Sequence, residues 1–121
     1  MGAGIGVYWT VSRWTLSRSR VHVHQDTFLP KGKPAIVYFT TPTCAPCKTV
    51  QRPALQRLQE QVGEKLQVVE IDATQQPEVA RRWGVVSVPT TFIIDSQGDP
   101  RHVNHGIAPY EKLLKQLKDL L

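Results

Sequence analysis

At 121 residues the chain holds one domain's worth of core, too little for separate catalytic and substrate domains, so any active site must sit on a single fold. Its 40% hydrophobic and 21% charged residues, with no repeat or low-complexity tract, exclude a disordered or fibrous protein. The net charge of +5 does not make it a nucleic-acid binder: most of the excess falls in residues 1–33, where Arg13, Arg18, Arg20, Lys31 and Lys33 face only Asp26, and the remainder mixes both signs without a basic stripe.

Residues 1–19 read as an N-terminal extension to a domain over residues 20–121. Gly2 to Val11 is apolar and glycine-rich, but well short of the ~20 apolar residues that span a bilayer. Its arginines follow the apolar stretch, whereas a signal peptide carries its charges ahead of it. Two readings stay open. In one, Val7, Trp9 and Val11 alternate with polar neighbours as a strand or loosely packed arm. In the other, the segment is the tail end of a membrane anchor, with Trp9 and Trp14 at the interface and Arg13, Arg18 and Arg20 on the cytoplasmic side.

Arg20 to Gln25 alternates as RVHVHQ and predicts a first strand, followed by a connector at Leu29 to Pro34. Ala35 to Phe39 is a continuous β-rich apolar run, as expected of a central strand buried on both faces. The turn Thr40-Thr41-Pro42-Thr43 then delivers Cys44-Ala45-Pro46-Cys47 onto the start of a helix. Val50, Ala54, Leu58 and Val62 are expected to share that helix's buried face with Cys47 and Leu55, Pro53 to kink it, and Gly63 to stop it. Lys65 to Ile71 predicts a strand, parallel to the first central one through a crossover. Pro77 opens a short helix that buries Val79 and Trp83 and closes at Gly84. Thr90 to Asp95 and Arg101 to Asn104 form a hairpin across Ser96 to Asp99. Pro109 starts a last helix with Leu113, Leu114, Leu117, Leu120 and Leu121 as its apolar stripe.

The only two cysteines lie in one CxxC motif, so redox chemistry or metal binding must be asked of that pair alone. A thiol at the first turn of a helix meets unpaired N–H groups and the positive end of the macrodipole, which favour the thiolate that attacks disulfides. Cys44 fits that position as nucleophile. Cys47, one turn on and more buried, fits the resolving role, and Pro46 stiffens the first turn. The competing use of a CxxC is half a zinc site. Zinc wants four ligands, and there is no second CxxC; His22, His24, His102 and His105 come in two pairs on predicted strands or loops and read better as solvated surface. No metal and no cofactor are expected.

The stretches AIVYFTTPTCAPCK and IDATQQPEVARRWGVVSVPTTFIIDSQG, with the closing amphipathic helix, resemble the thioredoxin family over residues 20–121. The resemblance implies an α/β fold of three layers, a central mixed β-sheet flanked by helices. It also implies a cis peptide bond before Pro89, facing the redox pair, a Val88 backbone that pairs with substrate peptide, and a Gly106 that leaves room for it. Thr43, Ala45 and Pro46 complete the expected substrate surface. The implied activity is thiol-disulfide exchange on protein disulfides, with a disulfide reductase or other thiol reductant as second partner. A monomer in the cytoplasm is expected, with the segment 1–19 as the only route to membrane association.

The chain departs from the family's pattern in three ways. Ala45-Pro46 stands where Gly-Pro is usual, Thr43 replaces a tryptophan, and Tyr38 and Val68 fall where a buried acid and its lysine companion belong. An unperturbed tyrosine, with a pKa near ~10, is a poor base at neutral pH, so Tyr38 reads as a core strand residue. This loss supports an alternative function, a thioredoxin-like binding module with slow or partner-restricted exchange.

Overall fold

The computed structural model describes residues 32–121. The expected strand over 20–25, His22, His24 and the segment 1–19 lie outside the described residues. Strand β1 (Ala35–Thr40) runs into a helical stretch made of a π-helical turn (Cys47–Gln51) and helix α1 (Arg52–Val62), then a 3-10 turn (Gly63–Lys65). Strand β2 (Gln67–Asp72), helix α2 (Pro77–Arg82), strands β3 (Thr90–Ile94) and β4 (Pro100–His105) and helix α3 (Tyr110–Leu117) follow. The sheet order is β2-β1-β3-β4, with β1 and β2 parallel and the other two pairings antiparallel. The mixed sheet and the flanking helices are those expected.

β1 is buried along its whole length because it lies inside the sheet and both its faces are covered. Its period of two splits the core. Ile36 and Tyr38 join Leu55, Leu58, Leu66, Ile93, Leu113, Leu117 and both cysteines under α1 and α3. Ala35, Val37 and Phe39 join Ile71, Ala80, Trp83, Phe92, Ile94 and Val103 on the opposite face. There Trp83 meets Phe92 edge-on at 5.0 Å and Phe39 at 5.7 Å. The hairpin between β3 and β4 closes because the Asp95 carboxylate accepts from the N–H groups of Gln97 and Asp99, both at 2.9 Å, occupying two donors of the turn.

Three expectations are corrected. Val50 is 46% exposed, and Gln51 is the residue that faces inward at 0%. The reason is the π turn, in which the Arg52 N–H donates to the Cys47 carbonyl five residues back. Each residue then advances less around the axis, which carries Val50, three residues on, away from the face of Cys47, while Gln51, four residues on, stays on it. Pro53, which offers no N–H, lies just beyond this irregularity, in the first turn of α1, where a proline costs no hydrogen bond. Leu121 is 48% exposed because α3 ends at Leu117 and the helical phase that would have buried it is lost. Lys65 belongs to the 3-10 turn, and β2 begins two residues later.

Gly63 ends the helix with φ 63° and ψ −138°, a conformation a β-carbon disfavours. An added methyl would meet nothing within 4 Å. Gly63→Ala should therefore cost only its backbone strain, about 1–2 kcal/mol, read as a lower urea midpoint with unchanged slope. A midpoint equal to the parent's would show that the turn readjusts freely.

Candidate active site

The end of β1 and the start of the helix position the two cysteines. The Cys44 N–H donates to the Thr41 carbonyl at 3.2 Å, closing the turn that the Thr-Pro-Thr sequence predicts, and the helical stretch begins at Ala45. Cys44 and Cys47 are disulfide-bonded, with Cα atoms 5.3 Å apart. The pair is asymmetric: Cys44 is 8% exposed and Cys47 0%. The Cys47 N–H donates to Cys44 Sγ at 3.2 Å. It belongs to the first helical turn, where N–H groups have no carbonyl partner within the helix, and Pro46 beside it offers no donor. Thr43, Ala45 and Pro46 are exposed around the pair.

Beneath the resolving cysteine, the Tyr38 hydroxyl donates to the Cys47 carbonyl at 2.9 Å. Burial pushes the Tyr38 pKa up, against smaller opposing effects of Thr40 and Arg52, so the hydroxyl stays a proton donor at neutral pH. Tyr38 is thus the core residue expected, and it also ties β1 to the first turn of the cysteine helix. Tyr38, Arg52, Leu55, Val68 and Glu70 line a surface cleft alongside. Arg52 and Glu70 pair across it at 2.7 Å, with both side chains over 40% exposed, so the pair contributes at most about 1 kcal/mol.

Two further loops are tied to each other and to the core cluster that holds the cysteines. The Val88–Pro89 peptide bond is cis, as the resemblance implies. Val88 is half-buried and packs against the core cluster that holds both cysteines. The Gly106 N–H donates to the Pro89 carbonyl at 2.9 Å, and Gly106 has φ 89°, which a side chain rarely adopts. Val86 and Ile107, on these same loops, are exposed at 76% and 44%. Pro89 and Gly106 are therefore brought together, while His102 is exposed on β4 and Thr43 stands at the rim.

Gln51 is the residue that sequence reasoning missed. Its side-chain amide donates to the Ala108 carbonyl at 3.0 Å and accepts from the Ala108 N–H at 2.7 Å. The one available signal was a glutamine four residues from both Cys47 and Leu55, within the stripe that helical spacing buries.

The family model for thioredoxin matches residues 19–119. Thioredoxin of Bacillus subtilis (strain 168) is 36% identical over 75 residues, covering 62% of this chain and 70% of that protein. The SPbeta prophage-derived thioredoxin-like protein YosR of the same organism is 38% identical over 85 residues, 69% of this chain and 98% of its own length. Chloroplastic thioredoxin Y of Oryza sativa subsp. japonica is 37% identical over 97 residues, or 79% of this chain, and the match spans only 56% of the rice protein. Among solved structures, Fasciola hepatica thioredoxin superposes with a TM-score of 0.65 at 24% identity, over 75% of this chain and 84% of that one, and shares the fold. With its CxxC pair joined at the head of the helix and a cis bond before Pro89, the chain belongs to the thioredoxin family of protein-disulfide oxidoreductases.

Proposed function

We propose that this chain exchanges disulfides of other proteins, with Cys44 as nucleophile and Cys47 as resolving cysteine. The reduced pair starts the cycle. The Cys44 thiolate attacks one sulfur of a substrate disulfide, forming a mixed disulfide and releasing the other substrate sulfur as thiolate. The Cys47 thiolate then attacks Cys44 Sγ, which forms the Cys44–Cys47 bond and releases the second substrate thiol. Two electrons pass to the substrate, and an external dithiol or disulfide reductase returns them to the pair. Val88, Pro89 and Gly106 would receive the substrate backbone, with Thr43, Ala45 and Pro46 at the rim.

The observation that carries this reading is the asymmetry of the bonded pair: Cys44 alone reaches the surface, and its sulfur accepts a backbone N–H of the first helical turn. Iodoacetamide should accordingly label Cys44 of the reduced protein at least about ten times faster than Cys47 near neutral pH, as read by mass spectrometry of digests. Equal rates, or a faster Cys47, would reverse the roles.

A second reading, a binding module with slow exchange, is favoured by Tyr38 and Val68 standing where the family's acid and lysine belong. Steady turnover on a protein disulfide decides against it. In the first reading the domain over 20–121 works as a monomer in the cytoplasm, where the reductant pool keeps such pairs recharged. Among the described residues no helix is long and apolar enough to cross a membrane. Cell fractionation with and without residues 1–19 tests whether that segment tethers the chain.

A further inference from the structure

Gln51 is wholly buried on the helical stretch that carries Cys47, yet both ends of its amide are spent on one residue 57 positions away. Ala108 is itself 0% exposed, so its N–H and carbonyl depend on Gln51 and have no water to replace it. Four residues after Cys47, Gln51 stays on its inward face, while the π turn carries Val50 outward. Two residues before Ala108 stands Gly106, whose N–H holds the Pro89 carbonyl at 2.9 Å. A short path of hydrogen bonds and backbone thus joins the resolving cysteine to the cis-proline loop. Beyond Ala108 the next helix has an anchor of its own, because Asn104 bonds Thr91 at 3.1 Å and exchanges two hydrogen bonds with Gln116 of α3. Loss of the Gln51 clamp would therefore loosen the 106–108 loop ahead of the scaffold.

We propose that Gln51 is a positioning residue that sets the Pro89–Gly106 flank against the cysteine pair, so that docking of a substrate polypeptide, and not the attack of Cys44, depends on it. The inference rests on the disulfide exchange proposed above and names what fixes its substrate surface.

Two variants test it. Gln51→Met keeps the length and removes both hydrogen bonds. Gln51→Glu keeps the shape: its protonated carboxyl makes both bonds, whereas the carboxylate still accepts from the Ala108 N–H but faces the carbonyl without a proton to donate. The readouts are kcat and KM for reduction of insulin by dithiothreitol, and the iodoacetamide rate at Cys44. The methionine variant should raise KM about 5- to 10-fold and leave the alkylation rate within about twofold. Burial raises the pKa of the new carboxyl, so the glutamate variant should keep the parent KM near pH 6 and approach the methionine value toward about pH 8.5. Should the methionine variant fail to fold, the pH dependence of KM in the glutamate variant decides alone. An active parent whose variants keep its KM at every pH overturns the inference, as does a fall in kcat, alkylation rate and thermal stability together with no change in KM. A parent that does not reduce insulin overturns the proposed exchange itself, and this inference with it.

Discussion

Cys47→Ser is expected to accumulate a mixed disulfide between Cys44 and a protein substrate and to lose steady turnover. The first attack needs only Cys44, at the surface end of the pair, and its sulfur keeps the backbone N–H of residue 47 as donor whatever side chain that residue carries. The second attack needs a sulfur already in place. An oriented intramolecular nucleophile reaches effective molarities on the order of 10⁵ M or more, so millimolar free thiol recovers only a minute fraction of the resolving rate. Serine is close to the size of cysteine and fits the same buried position, so the trapped species should appear in a folded protein. Non-reducing electrophoresis, with release by dithiothreitol, reads it. Cys44→Ser should trap nothing, and a mixed disulfide through Cys47 in that variant would reverse the two roles.

Tyr38→Asp is expected to give a less stable protein with a new titration in its exchange profile. Tyr38 is 2% exposed, and its ring belongs to the core cluster that contains both cysteines. Shortening it removes that packing and the hydrogen bond to the Cys47 carbonyl, at a cost of about 3–5 kcal/mol. Val68 offers no charge to compensate a carboxylate; Arg52 and Glu70, already paired, are the charged groups lining the cleft beside it. Desolvation should raise the pKa of the introduced carboxyl above the ~3.9 of the unfolded chain. Between those two values the folded state holds the extra proton, so the deficit in stability is smallest below about pH 4 and deepens as pH rises to the folded pKa. Urea melts at several pH values check the sign. A group titrating toward neutrality beside Cys47 is also placed to take its proton, so exchange should quicken near pH 7. A folded variant whose pH–rate profile matches the parent's would show that the acid is dispensable here.

What the sequence made legible is what local chemistry determines. Continuous β-rich runs located β1 and β3, proline and glycine punctuation located the helix from Pro77 to Arg82 and the last helix, and the Cys-Ala-Pro-Cys spacing located the pair. Val50 was placed inside because helical phase was counted at 3.6 residues per turn, and a π turn, set by which carbonyl an N–H finds in the folded chain, carries it outward; Gln51 lies on the buried face by either count and was passed over as a polar residue. The bond from Gln51 to Ala108 joins segments 57 residues apart, and no composition or spacing announces it. Leu121 fits an apolar stripe that the helix does not live long enough to bury. Tyr38 was placed in the core correctly, but its hydroxyl partner depends on where the Cys47 carbonyl turns, which is again a tertiary fact.

The division of the core by β1 places both sulfurs on one side of the sheet. Both sulfurs are members of the cluster beneath α1 and α3, whereas Trp83, Phe92 and Phe39 pack on the opposite face. Oxidation, reduction and unfolding form a closed thermodynamic cycle, so whatever favours the bonded state over the dithiol state shifts the midpoint potential by the same free energy, about 30 mV for each 1.4 kcal/mol. A change among the three aromatic rings, which lie outside the cysteines' cluster, is expected to weaken both redox states alike and to leave that potential in place. A change at Ile36, Leu55 or Leu58 acts on a cluster that senses the distance between two sulfurs. Selection on the hidden face can therefore adjust how long the protein lasts, while the face under the helices is held to how readily it gives up electrons.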